Sequence, residues 1–363
     1  MNLPYWTTDL PGIGGALKCR EEDFVVDEIP AYAPSGTGDH VFVRLEKRDL
    51  NTAFAVGKLA RALGVRDRDI GVAGQKDRRA ITTQWLSLPP PITPEQALAL
   101  ELEGMKILEA TRHNHKLRTG HLRGNRFRLI VRNVTGDPAN VAAAATAILT
   151  RLAEAPGAPN WYGEQRFGRA GDNAARGRAF VTGEAPQPKD RKQARFLVSA
   201  LQSSLFNDWL TARLADGLYR VALAGDVMHK RAGGMFDCTE PEVDTPRIAA
   251  GEITPTGPMF GVSMRAPAPG PAADREAAIL AAAGLSLDEF RSVSAIAEGA
   301  RRDAAIEVTD PVVRQGEDAG TLEVSFALPA GAYATVVMRE VMKMDESAGE
   351  NAESLIDAVA EPT

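Results

Sequence analysis

Apolar and polar side chains alternate over residues 41–46 (VFVRLE) as they do in an amphipathic strand. Asn51 can then cap a helix whose apolar positions Ala53, Val56, Leu59, Ala60 and Leu63 recur at helical spacing, with Gly64 as its natural stop. A short β-like run from Ile70 to Ala73 leads into the turn Gly74-Gln75-Lys76-Asp77-Arg78-Arg79, and ITTQWLSL leaves it as another strand-like run. The loop PPPITP comes next, followed by a helix-like stretch around Pro94–Leu108. FRLIVRNV at 127–134 reads as a strand with Arg128 and Arg132 on one face, and an alanine-rich helix covers about 140–154. A second region begins near Pro156 with a Gly/Arg loop. Its long helical pattern ARFLVSALQSSLFNDWLTARL aligns Leu197, Leu201 and Leu205 in one stripe. A Gly/Pro-rich stretch runs from TPTGPMFG to APAPGPAAD, alanine-rich helices continue to about residue 300, and LEVSFALPAGAYATVVMREVMK reads as strand, tight turn and helix.

Composition narrows the class. Apolar residues make up 44% and charged residues 25% of the 363, close to an average globular chain, which excludes global disorder and suits two domains or one large one. No apolar run approaches the ~20 residues a bilayer span needs. MNLPYWTTDLPG lacks the basic-then-apolar pattern of a signal peptide. Cys19 and Cys238 are far apart and form no CxxC, so neither a disulfide scaffold nor a thiolate zinc site is expected. A cytoplasmic protein without membrane contact is the expectation.

The net charge of −6 argues at first against a nucleic-acid partner, but its distribution does not. Residues 1–200 carry 29 Lys+Arg and 22 Asp+Glu, and residues 201–363 carry 13 and 26. Within the first part, residues 111–132 hold seven Lys/Arg and no acid, together with His113, His115 and His121. Such a cluster suits a polyanion, whose phosphates release condensed counterions on contact; a solvated face is the alternative. Residues 344–363 hold six acids and no base and read as a tail outside any core.

Four segments suggest chemistry. Asp77 is flanked by Lys76, Arg78 and Arg79, and nearby positive charge favours an ionised carboxylate, which can act as nucleophile or base; alone, the segment also reads as a charged surface turn. Lys18 to Glu28 places acids on both sides of Phe24 and reads as an edge strand with Phe24 in the core. Asn160 to Gly168 (NWYGEQRFG) gathers aromatics, glycines and Arg166, a mixture suited to unstacked bases or to a tightly packed loop. Gly124-Asn125-Arg126-Phe127 lies inside the basic cluster, where the amide of Asn125 can face a ligand or cap a turn.

Gly74-Gln75-Lys76-Asp77-Arg78-Arg79-Ala80 with Thr83-Gln84 resembles the signature of the TruD family of tRNA pseudouridine synthases. Lys18 with Glu22-Asp23-Phe24, Gly124 to Phe127, Asn160 to Gly168, and Leu328 to Thr335 leading to Arg339-Glu340 agree in order and spacing, so the resemblance spans about residues 15–343. Departures are mild: Trp161-Tyr162 stands where Tyr-Phe is usual, Gln75 where an apolar residue is commoner, and Arg20-Glu21 replaces a frequent Pro. The resemblance implies an α+β fold: a pseudouridine synthase core with a largely antiparallel mixed sheet from 1–157 and 305–343, and an inserted α/β TRUD domain from 158–304 as the opposing wall of a cleft. It implies conversion of uridine to pseudouridine in tRNA, with uridine 13 the expected position. In that reaction the C1′–N1 bond breaks, the base rotates, and C5 joins C1′; no metal, redox cofactor or nucleotide is needed. Asp77 is then the catalytic aspartate, through a covalent adduct or a glycal, with Lys18 as its basic partner. Phe24, Asn125 and Phe326 line the substrate site, and Arg166 and the basic cluster hold the RNA backbone. A monomer is expected.

Three other readings compete. A non-catalytic RNA-binding or chaperone protein would share the basic patch but have no use for Lys18, Asp77 and Asn125 together. A carbohydrate hydrolase would pair Asp77 with Glu22 or Asp23. A metal enzyme would use His113 and His115, for which no further ligand set is evident.

Overall fold

A computed structural model of the chain describes residues 3–168 and 170–344. The tail expected at 344–363 lies, except for Met344, outside the described residues. In chain order the elements are β1 (Phe24–Pro30), β2 (His40–Arg48), α1 (Thr52–Leu63), β3 (Gly71–Val72), β4 (Ile81–Leu88), α2 (Pro94–Leu98), β5 (Met105–His113), β6 (Leu122–Val131) and α3 (Pro138–Ala153). Then follow β7 (Ala158–Pro159), α4 (Asn173–Val181), α5 (Arg191–Ala215), β8 (Val227–Lys230), β9 (Met235–Asp237), α6 (Pro241–Ala249) and β10 (Ile253–Met259). The chain closes with α7 (Pro271–Ala282), α8 (Leu287–Ser292), β11 (Ala300–Asp303), β12 (Ala305–Ile306), β13 (Thr309–Gln315), β14 (Leu322–Pro329) and α9 (Ala334–Met342). Two compact units contain these elements: 12–147 with 309–332, and 3–11 with 148–308 and 333–344.

The first unit is built on an eight-stranded sheet of order β13-β14-β6-β1-β4-β2-β5, with β3 pairing β4 on the side. Only β1 and β4 run parallel; the other pairs are antiparallel, so the expected α+β class with a largely antiparallel mixed sheet is what forms. One face is covered by α1, whose Ala55, Val56, Leu59 and Ala60 pack with Val41, Val43, Leu45, Leu86 and Leu88. The Asn51 side chain caps that helix by accepting from Phe54 N at 2.7 Å, and Gly64 ends it at φ +67°.

Three local expectations give way here. The Phe24 strand is not an edge: β1 lies between β6 and β4, and Phe24 is 1% exposed. Its acids are accommodated because Asp23 is paired and Glu28 is buried against a cation. The stretch expected as helix to Leu108 is helical only over α2; Gly104 turns the chain at φ +73°, and Met105 begins β5 along β2. Register with a long strand outweighs local helix propensity there. Part of the Gly/Pro-rich stretch is a wholly buried strand, β10. Its prolines are tolerated because β8 pairs residues 253–255 and β11 pairs residues 256–259, so each half bonds a single neighbour.

The second unit contains a four-stranded sheet, β11-β10-β8-β9, against the 25-residue α5. Leu197, Leu201 and Leu205 are buried along that helix as their spacing predicts. Gly257 is needed on β10, since a Cβ there would come within 2.4 Å of the Trp209 ring. Among the described residues no helix is long and apolar enough to cross a membrane.

Candidate active site

The turn bearing Asp77 leaves β3 and enters β4, within the first unit. The Asp77 side chain is half exposed, and its Oδ2 lies 3.9 Å from the ammonium of Lys18, which is mostly buried. Lys18 Nζ also sits 4.6 Å above the centre of the Phe24 ring. Lys18 adopts φ +56°, a left-handed conformation that side-chain-bearing residues seldom take and that concentrates at functional sites. The cations next to Asp77 in sequence are engaged elsewhere: Lys76 with Glu28 at 2.7 Å, and Arg78 with Asp49 at 3.4 Å. The charge that meets the carboxylate therefore comes from a distant part of the chain.

Strand register organises the floor. Lys47, Thr82, Val26, Phe127 and Phe326 stand in one row across β2, β4, β1, β6 and β14, with side chains on one face. Phe24 meets Phe127 edge-on at 6.3 Å, and Phe127 meets Phe326 at 5.7 Å. Phe24 and Phe326 are fully buried. One step along, Asn125 is opposite both Glu28 and Leu328; its buried Oδ1 has no hydrogen-bond partner among the described residues. Orphaned buried acceptors are uncommon in folded proteins. Gly124 is required beside it, because a Cβ there would come 2.1 Å from the Leu328 carbonyl oxygen.

The turn is tied down from beneath. Lys76 N donates to Thr52 Oγ1 at 2.9 Å, and Thr52 Oγ1 donates to Gln84 Oε1 at 2.9 Å. Glu28 receives Lys76 Nζ on one oxygen and Trp85 N on the other, at 2.7 and 3.1 Å. Sequence reasoning overlooked Lys47, which is 0% exposed and donates to the carbonyls of Leu50, Lys76 and Asp77. Its signal was legible: Val41, Val43 and Leu45 alternate inward, and the next inward position is a lysine.

The basic cluster is less free than its composition suggests. Arg126, Arg128 and Arg132 pair with Asp310, Glu323 and Asp318 at 3.1, 3.4 and 2.9 Å, and Arg132 also grips the fully buried Asp23 at 2.7 Å. Arg118 and Arg123 are exposed and form no ion pair among the described residues. Arg118 lies in the loop before β6 and Arg123 at the start of β6; that loop abuts the segment leading into the Asp77 turn, where Gly120 N donates to Ala73 O at 2.8 Å. Asp23 is thus a structural acid, and Glu22 pairs with Arg48 at 3.4 Å.

His113 stacks on Tyr32 at 5.4 Å, accepts from Ser35 N on Nδ1 at 3.1 Å, and meets His115 Nε2 through its own Nε2 at 3.2 Å. Burial first, then the charges of His115 and His40, lower its pKa below the usual 6.5. Among the described residues no group of three or more His, Cys, Asp or Glu side chains could hold a metal ion.

Arg166 belongs to the second unit, in a short helical turn over Glu164–Phe167. It donates to Ser203 Oγ at 3.2 Å and to Ser199 Oγ, with its guanidinium 5.6 Å from the Tyr162 ring. Trp161, Tyr162 and Phe167 are buried, so this segment is a packed loop. Arg302 covers Tyr162 at 3.9 Å and donates to the Asn160 carbonyl at 3.2 Å.

The comparisons with known proteins agree with one another. The model of the family described as tRNA pseudouridine synthase D (TruD) matches residues 1–188 and 182–341. The tRNA pseudouridine synthase D of Anaeromyxobacter dehalogenans (strain 2CP-C) is 51% identical over 350 residues, which cover 95% of this chain and 97% of that protein. Its counterpart from Thermus thermophilus is 42% identical over 359 residues, 97% of each chain. A crystal structure of the Methanosarcina mazei protein assigned to tRNA pseudouridine synthase D superposes with a TM-score of 0.77 at 26% identity, covering 95% of this chain and 97% of that one. On sequence and fold together, the chain belongs to the tRNA pseudouridine synthase D (TruD) family of isomerases.

Proposed function

We propose that this protein isomerises uridine to pseudouridine in tRNA, at uridine 13, with Asp77 as the catalytic aspartate and Lys18 as its charge partner. The observation that carries the reading is the open carboxylate of Asp77 beside the mostly buried ammonium of Lys18, 3.9 Å away. A carboxylate open to a substrate and facing a cation has the arrangement a nucleophile or base at the ribose requires. In the reaction C1′ exchanges N1 for C5, C5 loses its proton and N1 gains one, so no electron or added group is consumed.

Asn125 supports the reading because its buried, unpartnered Oδ1 offers an acceptor to the imide N–H of uracil. Phe24 and Phe326 enter as the packed floor beneath that position, and Arg166 as a phosphate contact. The catalytic domain is assigned to 1–157 with 305–343 and the inserted domain to 158–304, with the RNA backbone held by the basic cluster at 111–132 and Arg166, in a cytoplasmic monomer. Extruding a nucleotide from folded RNA costs on the order of a few kcal/mol, which backbone contacts must offset.

The test is to map pseudouridine in total tRNA from cells with and without the protein. One position should lose its modification without the protein, and an Asp77→Asn gene should fail to restore it while the purified variant binds tRNA like the parent. Restoration by Asp77→Asn would remove Asp77 from the mechanism; no change at any tRNA position would leave only an RNA-binding protein.

A further inference from the structure

We propose that Lys47 is a positioning residue for Asp77, setting the place of its carboxylate from beneath the turn. The inference rests on the reading of Asp77 as the catalytic aspartate and extends it to a group that never touches substrate.

Lys47 occupies an inward position of β2, at the end of the apolar stripe Val41, Val43, Leu45 that packs under α1. A lysine at 0% exposure carries a large desolvation cost unless its donors are satisfied. An ammonium has three N–H donors, and three backbone carbonyls receive them here: Leu50 O, Asp77 O at 2.9 Å and Lys76 O at 3.5 Å. Leu50 immediately precedes Asn51, the cap of α1, whereas Lys76 and Asp77 belong to the candidate active turn. One buried cation thus ties that turn to the start of the helix that covers the sheet.

The tether acts on the Asp77 backbone itself. Lys76 is committed to Glu28 and Arg78 to Asp49, so the side chains next to Asp77 hold the turn through their own acids. Lys47 holds the Asp77 carbonyl from the buried side of the turn, while Lys18 approaches the carboxylate from the other end of the residue. Replacing Lys47 with a near-isosteric apolar chain removes that tether. Thr52 supplies the control, because its hydroxyl holds the same turn through Lys76 N and not through Asp77.

The experiment compares Lys47→Met, Lys47→Arg and Thr52→Val with the parent, using full-length protein and an unmodified tRNA transcript, with kcat and KM measured separately. Lys47→Met should lower kcat at least tenfold and leave KM within about twofold. Thr52→Val, which leaves the Asp77 carbonyl tied, should lower kcat less than Lys47→Met. Lys47→Arg keeps N–H donors but places them on a longer, planar fork, and should lower kcat less than Lys47→Met with KM again unchanged. A Lys47→Met enzyme with parental kcat, or one whose loss lies in KM, overturns the proposal. If Lys47→Met does not fold, Lys47→Arg decides: parental kcat overturns the proposal, and a reduced kcat at unchanged KM supports it. Asp77→Asn, assayed alongside, separates the two claims, since an active Asp77→Asn enzyme defeats the underlying reading whereas an inactive one leaves Lys47 to be judged by its own variants.

Discussion

The carboxylate of Glu28 on β1 and the ammonium of Lys76 in the Asp77 turn meet at 2.7 Å, with side chains 1% and 4% exposed. The second Glu28 oxygen accepts from Trp85 N, so the pair fastens the turn to two central strands. Removing one member of such a pair strands the other charge in a dry interior, at about 3–5 kcal/mol. Urea unfolding should therefore show Glu28→Gln and Lys76→Met each destabilised by that order. The double variant Glu28→Gln with Lys76→Met should be less destabilised than the two single losses added together. Strict additivity would mean that the two groups do not interact.

His113 is held neutral by its surroundings. Tyr32 stacks on it, Ser35 N occupies Nδ1, His115 faces Nε2, and burial with His115 and His40 lowers its pKa below 6.5. The unfolded chain takes up this proton at its ordinary value, and the folded protein only at lower pH. The contribution to stability is thus complete above about 6.5 and is lost as pH falls below it towards the folded value. Thermal melting should show a midpoint that declines as pH drops below 6.5, with a shallower decline in His113→Gln. An identical slope in that variant would assign the acid sensitivity to other groups.

The exposed Arg118 and Arg123 differ from Arg126, Arg128 and Arg132, which already have acidic partners. Removing one phosphate-binding cation reduces the dependence of log K on log salt by about 0.7–0.9. The pair Arg118→Gln with Arg123→Gln should weaken tRNA binding and flatten that dependence by about 1.5. Arg126→Gln with Arg128→Gln should change it less. Titration of tRNA binding at several salt concentrations distinguishes the two sets.

Where determinants are local, the sequence is an adequate guide. Asn51, the spacing Val56, Leu59, Leu63 and the stop at Gly64 specify α1 within a dozen residues, and α5 and α9 follow from the same logic. The motif around Asp77, with Lys18 and Asn125, is legible because each stands in a recognisable run of residues. Strand order is another matter. Local pattern cannot distinguish a central β1 from an edge, because centrality depends on β4 and β6, which begin 57 and 98 positions after Phe24. The same is true of β5, whose sequence suits a helix until pairing with β2 decides otherwise.

The sequence by itself determined the family, the mixed α+β class and the identity of the candidate catalytic groups, since these reside in residue types and short spacings. The resemblance already implied Lys18 as the partner of Asp77; only the tertiary structure decided where the neighbouring cations go, Lys76 to Glu28 and Arg78 to Asp49. It also decided that Lys47 lies beneath the turn, and that much of the basic cluster is neutralised by acids on β13, β14 and the loop between them. Charge pairing depends on distance in space, and a linear pattern of residues does not encode it.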